Sequence, residues 1–194
     1  MDTLTGIYNR MGYQQLGEKA FRISKLNHRK LLILFVDLDR LKYINDTFGH
    51  DWGDRYINLA GQCFAQTLPP NTICARMSGD EFIVLFYGYD RRDEIRQVLN
   101  RLSEAMKERT ALLPNGDTMR ISISGGIAWY PENGRDLAML KRYADFAMYQ
   151  VKHESKGAMG EFDIGAYNQE AYAAQLRREF LQMLRESSAD YHFQ

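Results

Sequence analysis

The segment from Lys30 to Asp37 is almost entirely apolar and ends in an acid. A continuous apolar run of this length, followed by polar residues, predicts a β-strand that is buried on both faces. Its terminal carboxylate would then lie where the interior of the protein meets the surface. A β-sheet with an acid at its rim is therefore the first expectation for this chain.

Apolar residues at helical spacing occur on both sides of this strand in the sequence. They predict four helices, at residues 10–28, from about 54 to 68, at 91–109 and at 136–153. Further strands are expected at 73–77 and 81–86, joined by a hairpin turn, and from 119 onward. The pair Gly125-Gly126 is expected to form a bulge in the last strand, and the polar stretch around Asn45 and Gly49 to form a loop.

The predicted order α-β-α-β-β-α-β-α fits an α+β fold. We expect a ferredoxin-like or palm-type central sheet that is mostly antiparallel and is flanked by helices. This domain is assigned to residues 1–163. Residues 164–194 contain one more amphipathic helix, with Leu176, Phe180 and Leu184 on its apolar side, and are predicted to be a helical extension or linker.

Composition limits the classes of partner. The chain carries 25 basic and 25 acidic residues, so a broad surface for nucleic acid or acidic lipid is not expected. No apolar run approaches the roughly 20 residues that span a bilayer, and the polar N-terminus argues against a secretory signal. The two cysteines suit a reducing compartment. We expect a cytoplasmic location, or the cytosolic part of a membrane-anchored protein, without direct membrane contact by this segment.

Carboxylates occur at strand ends in two places, Asp37-Leu38-Asp39 and Asp80-Glu81. Each acid by itself is explained by a turn or a cap. Together, the acids would repel one another unless a cation neutralised them. Mg²⁺ prefers such oxygen ligands and keeps waters and substrate phosphates as further ligands. Two ions about 4 Å apart can activate an attacking hydroxyl and stabilise a phosphoryl transition state.

Several motifs occur in order along the chain. They are residues 2–10 (DTLTGIYNR), 37–54 (DLDRLKYINDTFGHDWGD), 76–82 (RMSGDEF), 122–128 (SISGGIA) and 144–149 (ADFAMY), the last followed by Lys152. Together these motifs resemble the GGDEF family, the diguanylate cyclases, with Ser78 in place of the first glycine of the family signature. Four or five motifs in the order and spacing of a family are strong evidence, whereas a single five-letter signature is weak.

The resemblance implies a reaction in which two GTP molecules condense to cyclic di-GMP and release two pyrophosphates. Each 3′-hydroxyl attacks the α-phosphate of the other nucleotide, so two copies of the domain must face each other in a transient homodimer. The resemblance also implies two Mg²⁺ or Mn²⁺ ions in each active site. Such a protein is a metal- and GTP-binding transferase of bacterial second-messenger signalling.

By the same resemblance, Asp37, Asp80 and the backbone carbonyl of Leu38 hold the metals. Asp80 also helps to deprotonate the 3′-hydroxyl, and Glu81 supports the metal site. Lys42 stabilises charge on the transferred phosphate.

Substrate contacts are implied for seven further residues, which are Leu41, Asn45, His50, Asp54, Gly79, Lys152 and Lys156. Asn45 and Asp54 read the guanine edge, since a carboxylate accepts hydrogen bonds from the N1–H and N2–H₂ groups of the base. Lys152 and Lys156 bind the outer phosphates as mobile point charges. Outside the family context, the lysines are ordinary solvated charges, Asn45 belongs to a turn and Asp54 is a helix N-cap.

The chain departs from the family pattern at several positions. Ser78 costs about 1 kcal/mol of strain if its position needs a positive φ. Leu41 stands where phenylalanine is usual, which would loosen the pocket wall, and Ser155-Lys156 stands where Gly-Arg is common, which would weaken triphosphate binding. Residues 69–72 (PPNT) lack both charges of the Arg-x-x-Asp product-inhibition site of many members, so no inhibitory product site is expected.

Residues 176–185 and 191–194 resemble the entry into an EAL phosphodiesterase domain, which implies attached regulatory and EAL domains in a larger protein. The leading prediction is a diguanylate cyclase. The alternative is a catalytically weak GTP-binding regulatory module that controls an attached EAL phosphodiesterase. A polymerase-like palm has similar acids but needs a basic template groove, which the zero net charge argues against.

Overall fold

A computed structural model of the chain describes residues 1–190. Its strands are β1 (Tyr8–Asn9), β2 (Lys30–Leu38), β3 (Thr72–Ser78), β4 (Glu81–Tyr89), β5 (Thr110–Leu112), β6 (Thr118–Arg120), β7 (Ile123–Tyr130) and β8 (Met159–Glu161). Its helices are α1 (Arg10–Leu26), α2 (Leu41–Phe48), α3 (His50–Thr67), α4 (Arg92–Glu108), α5 (Leu137–Glu154) and α6 (Ile164–Asp190).

The main sheet has six strands in the order β1-β3-β4-β2-β7-β8. Its four inner strands pair antiparallel, and only the short edge strands β1 and β8 pair parallel to their neighbours. The path β2-α3-β3-β4-α4-β7 is the βαββαβ arrangement of ferredoxin-like folds. The predicted α+β fold with a mostly antiparallel sheet is confirmed.

Strand β2 lies at the centre of the sheet and is buried on both faces, as its unbroken apolar sequence predicts. Successive side chains of a strand point to opposite faces. Leu32, Leu34 and Val36 belong to a core that also contains Ile57 and Phe64 of α3. Helices α1 and α5 also pack against β2. This position brings the acidic end of β2 between the ends of β4 and β7.

The stretch after β2 is a helix, so the loop predicted around Asn45 is wrong. Leu41 and Ile44 are buried and hold α2 on the core, because residues three apart share one side of a helix. Gly49, at φ +90°, ends α2, and α3 begins at His50 rather than at about residue 54. Asp54 therefore lies inside α3, which removes the alternative that it is an N-cap.

The strand predicted from residue 119 onward is also wrong in detail. Residues 118–120 form β6, which pairs with β5 in a separate hairpin, and β7 begins at Ile123. The register of β2 with β7 is continuous through Gly125 and Gly126, so no bulge forms there. A side chain at Gly126 would collide with the backbone of α5 at Ala144 and Met148. The glycine therefore permits close packing of helix on strand.

The remaining helices match their predicted ranges to within two residues. Asn9 and Asp136 cap α1 and α5 through side-chain bonds to backbone N–H groups. Chain contacts separate a unit that spans Met1–Phe162 from a segment that begins at Asp163 and contains α6. The second part of the EAL-like tail, residues 191–194, lies outside the described residues. Within residues 1–190, no helix is both long and apolar enough to cross a bilayer.

Candidate active site

The end of β2 and the turn between β3 and β4 meet at one edge of the sheet. The Leu38 amide donates a hydrogen bond to the Asp80 carbonyl at 3.0 Å, and Asp37 pairs with Glu81 across the two strands. A cleft of about 500 Å³ opens at this edge. It is lined by Asp37, Leu38, Asp39, Arg40, Leu41, Lys42, Tyr43, Asp46, Asp80, Lys152 and Lys156.

The carboxylate of Asp37 lies in an environment with excess negative charge. Burial raises the pKa of Asp37, and the charges of Asp80 and Asp39 raise it further, while the ammonium of Lys152 opposes the shift. The Lys152 Nζ atom lies 2.6 Å from Asp37 Oδ1. Among the described residues, the ammonium of Lys152 is the only cation in contact with the Asp37 carboxylate. A further positive charge in the cleft would therefore reduce the repulsion between Asp37 and the neighbouring acids.

The donor set fits a hard divalent cation. Asp37 and Asp80 line the same cleft, and carboxylate oxygens are the ligands that such a cation prefers. Among the side chains that the structure describes, no group of three or more His, Cys, Asp or Glu residues is arranged as a metal cluster. Mg²⁺ needs no such cage, since it is commonly bound through one or two carboxylates with waters and phosphates as the other ligands. The cleft therefore suits an ion that arrives with a phosphate-bearing substrate.

Three lysines reach the cleft from separate segments. Lys42 belongs to the first turn of α2, Lys152 to the last turn of α5, and Lys156 to the loop after α5. Lys152 pairs with Asp37, whereas Lys42 and Lys156 form no ion pair with any side chain that the structure describes. Cations beside carboxylates in one cleft can hold a phosphate chain next to a carboxylate-bound metal.

The predicted guanine-reading residues, Asn45 and Asp54, are not among the residues that line the cleft of Asp37 and Asp80. Asn45 and Leu41 lie against Gly53 at the crossing of α2 and α3, where any side chain at 53 would collide with the Asn45 carboxamide. Asp54 follows on α3 and lines a second, largely apolar cleft of about 480 Å³ with Trp52. His50 is exposed at the start of α3. Of the predicted substrate contacts, Leu41, Lys152 and Lys156 share the cleft of Asp37.

The signature turn carries its own hydrogen bonds. Ser78 Oγ donates a hydrogen bond of 2.6 Å to Glu81 Oε2, which holds the Glu81 carboxylate against the turn. Gly79 has φ +43°, and its carbonyl accepts a bond of 2.9 Å from Arg76 Nε. Among the described residues, His28 and Arg40 are the non-glycine positions with positive φ. Ser78 is not one of them, so the strain expected for a positive φ is absent.

Sequence reasoning gave no role to two acids near the site. Asp39 is buried, and its carboxylate accepts hydrogen bonds from Ser122 Oγ and Ser124 Oγ at 2.6 and 2.8 Å. Burial raises the pKa of Asp145 on α5, and the charge of Glu81 raises it further. Asp39 follows the last residue of β2, so the alternation of side chains along that strand does not show which way its carboxylate points.

The chain is similar in sequence to known proteins. A model of the family described as "Diguanylate cyclase, GGDEF domain" matches residues 1–158. The diguanylate cyclase TpbB of Pseudomonas aeruginosa is 34% identical over 158 residues, which is 81% of this chain and 36% of TpbB. The cyclic di-GMP phosphodiesterase NbdA of the same organism is 30% identical over 193 residues, which is 100% of this chain and 24% of NbdA.

Solved structures agree with the sequence comparisons. The structure of a TpbB (YfiN) mutant comprising only the GGDEF domain superposes with a TM-score of 0.81 at 29% identity. The match covers 88% of this chain and 98% of that one. The chain spans much less of its curated relatives, 24% of NbdA and 36% of TpbB.

Proposed function

The chain belongs to the GGDEF family of diguanylate cyclases, and we propose that it condenses two GTP molecules into cyclic di-GMP with release of two pyrophosphates. The observation that carries this proposal is the cleft at the end of β2. Two strand-end carboxylates and three lysines line that cleft. A phosphate-bearing substrate with its cation complements this mixture of charges.

In this proposal, Asp37 and Asp80 hold the divalent cations, together with the backbone carbonyl of Leu38. Bound there, the ions would polarise the α-phosphate and favour the deprotonated 3′-hydroxyl. Asp80 accepts the proton of the 3′-hydroxyl, and Glu81, oriented by Ser78 Oγ, supports Asp80 from the neighbouring position. These assignments rest on the shared cleft of Asp37 and Asp80.

The lysines bind the phosphates. Lys42 stabilises the charge that develops on the transferred phosphate, and Lys152 and Lys156 hold the outer phosphates. Lys152 pairs with Asp37 in the structure. Its flexible stem allows the ammonium to turn toward a phosphate once that carboxylate has another cation, because a lysine is a mobile point charge.

The base is proposed to bind where α2 meets α3. Asn45 lies against Gly53, and Asp54 follows Gly53 directly. An amide and a carboxylate together can accept from and donate to the guanine edge. Leu41 and His50 line the approach, and Gly79 leaves space at the turn because no other atom lies within 4 Å of the position of a Cβ there.

One domain holds one GTP, so the proposed reaction needs a second copy of the chain. Each copy presents its nucleotide to the 3′-hydroxyl bound by the other. Activity should therefore rise faster than linearly with protein concentration in the range where the dimer is incompletely formed.

The test is chromatographic analysis of the nucleotides formed from GTP and Mg²⁺ at high protein concentration. We expect cyclic di-GMP from the wild type and a loss of at least about 100-fold in Asp80→Asn, which keeps the size of the side chain and removes its charge. Glu132→Gln is the matched control, since Glu132 is an ion-paired acid at the opposite end of β2. Equal activity of wild type and Asp80→Asn would contradict the proposal.

A second candidate is a catalytically weak GTP-binding module that regulates an attached EAL phosphodiesterase. The similarity to NbdA favours it, since that match extends over 193 residues and includes the segment after residue 163, whereas the TpbB match covers 158. The departures from the family pattern at Leu41, Ser155 and Lys156 also favour the regulatory module. GTP binding without any product, even at high protein concentration, would favour this candidate over the cyclase.

A further inference from the structure

Asp39 is a buried carboxylate that the proposed reaction does not use. Only 3% of its surface is exposed, and no cationic side chain among those that the structure describes pairs with it. A buried charge of this kind is costly unless hydrogen bonds compensate it. Both oxygens of Asp39 have such partners, since Ser122 Oγ donates to Oδ2 at 2.6 Å and Ser124 Oγ donates to Oδ1 at 2.8 Å.

The two serines connect Asp39 to strand β7 and beyond it. The Asp39 amide donates to the Ser122 carbonyl at 2.9 Å, and the Ser122 amide donates to Tyr56 Oη at 3.1 Å. Tyr56 Oη in turn donates to the Asp39 carbonyl at 3.4 Å. Hydrogen bonds therefore hold both the backbone of Asp39, through Ser122 and Tyr56, and its carboxylate, through Ser122 and Ser124.

Ser124 links Asp39 to the loop after α5 through hydrogen bonds. Its hydroxyl donates to Asp39 and accepts the Gly157 amide at 3.3 Å. Gly157 has φ +82°, and a Cβ there would approach Ser122 Oγ to 3.2 Å, so the glycine lets the loop pass close to both serines. The neighbouring Ala158 carbonyl accepts the Gly125 amide at 2.9 Å. Lys156 directly precedes this anchored point.

We propose that Asp39 is a positioning residue, which acts through Ser124 and the Gly157 amide to hold Lys156 at the cleft of Asp37. This inference rests on the proposed function for its consequence, which is the affinity for the phosphates of GTP. Asp39 itself touches neither substrate nor metal in this scheme. In this scheme, Ser122 and Ser124 of residues 122–128 connect the end of β2, where the cation is proposed to bind, to the loop proposed to bind phosphate.

The first test measures the loop without any nucleotide. Hydrogen–deuterium exchange reports local opening of backbone amides. We expect Ser124→Ala to speed exchange of the amides of residues 155–158 at least fivefold. Ser122→Ala is the matched control, because it removes one bond to Asp39 and leaves the Gly157 amide its acceptor; it should change that exchange less. Equal exchange in the wild type and in Ser124→Ala would overturn the proposal.

The second test measures GTP affinity by calorimetry, with Mg²⁺ present. Ser124→Ala should raise the dissociation constant about fivefold to tenfold, and Lys156→Ala should also raise it. In the Lys156→Ala background, the effect of Ser124→Ala should fall below about twofold, because both changes remove the same contact. Additive effects would overturn the proposal, since they would mean that Ser124 acts without Lys156.

Steady-state kinetics separate positioning from damage to the catalytic centre. Ser124→Ala should raise KM for GTP and leave kcat within about twofold, as expected when a substrate contact is lost equally in the ground and transition states. Asp39→Asn should act in the same direction, since the NH₂ group that replaces one carboxylate oxygen cannot accept a hydrogen bond from a serine hydroxyl. A fall in kcat with unchanged KM would overturn the proposal.

The proposed function and this inference can fail separately. A wild-type protein that binds GTP but makes no cyclic di-GMP would contradict the cyclase, and the exchange and affinity measurements would still decide the role of Asp39. A wild type that binds no GTP would overturn both the cyclase and the effect on affinity.

Discussion

The two ends of strand β2 carry acids and bases in contact, but under different conditions. At its start, Lys30 and Arg92 both reach Glu132, and all three side chains are about one-third exposed, at 33, 32 and 34%. At its end, Lys152 reaches Asp37, of which 10% of the side chain is exposed. The first end places two cations around one acid in contact with water. The second end places one cation beside an acid that has other acids near it.

The pKa directions record this difference. Burial opposes ionisation of Glu132, but the hydrogen bond from Lys30 and the charge of Arg92 hold its pKa below the usual value. Burial and the charges of Asp80 and Asp39 raise the pKa of Asp37, despite Lys152. Ionisation of Glu132, at the start of β2, therefore favours the folded state, whereas ionisation of Asp37, at its end, opposes it. Such an arrangement is expected where a site is built to bind a cation.

The largest expected effect is on activity. Asp37→Asn should reduce cyclic di-GMP formation by at least about 100-fold, because a neutral amide is a poor ligand for a divalent cation and cannot replace the carboxylate. Glu132→Gln removes an ion-paired acid beside the other end of β2 and should leave activity within about twofold. Product formation from GTP measures both. A strong loss of cyclic di-GMP formation in Glu132→Gln would contradict the prediction that only the acid at the end of β2 takes part in the reaction.

The next effect concerns GTP affinity. Lys152→Gln should weaken binding about tenfold to 100-fold, because a hydrogen bond to a charged group contributes about 1.5–3 kcal/mol. Lys30→Gln is its counterpart at the start of β2 and should leave affinity unchanged. Calorimetric titration with GTP and Mg²⁺ compares the two. Unchanged affinity in Lys152→Gln would remove this lysine from the phosphate site.

A smaller effect of opposite sign is expected for stability. The raised pKa of Asp37 means that its contribution to stability is lost as pH rises through the folded-state pKa. Asp37→Asn should therefore raise the melting temperature at pH 7 by about 2–4 °C, equivalent to about 1 kcal/mol, and the gain should vanish in acid below the pKa of the unfolded chain.

Glu132 should behave in the reverse way. Its lowered pKa gives stability above the unfolded-state pKa, which is lost as pH falls through the folded-state pKa. Glu132→Gln should lower the melting temperature at pH 7 by about 1–2 °C, since ion pairs in contact with water contribute about 0.5 kcal/mol. Thermal melts from pH 3 to 7 test both variants. Melting-temperature shifts of the same sign in Asp37→Asn and Glu132→Gln at pH 7 would contradict the proposed difference between the two ends of β2.

The smallest expected effect lies at the outer side of the cleft. Lys156→Arg should strengthen GTP binding about twofold to fivefold, because a guanidinium can hold a phosphate through two parallel hydrogen bonds. Lys107→Arg is the control, since Lys107 lies at the end of α4 outside this cleft. Weaker binding in Lys156→Arg would indicate that the loop cannot accommodate the larger side chain.

Much of the fold could be predicted from local pattern. The apolar run of β2 predicted its burial, and the alternating residues of β3 and β4 predicted their hairpin. Helix α2 could not be predicted because only two of its eight residues, Leu41 and Ile44, are buried, which is too few to show a helical period. The β5–β6 hairpin was missed because strands of three residues carry too little periodicity to be recognised.

The sequence by itself determined the chemistry available, since Asp37, Asp80 and the lysines could be named from their motifs. It also determined the family, because motif order does not depend on knowing contacts. Only the tertiary structure decided how the acids differ. Asp37 faces the cleft with one lysine, whereas Asp39, two residues later, is enclosed by the hydroxyls of Ser122 and Ser124. Partners more than 80 residues away in the chain set that difference, and no local pattern records contacts over such separations.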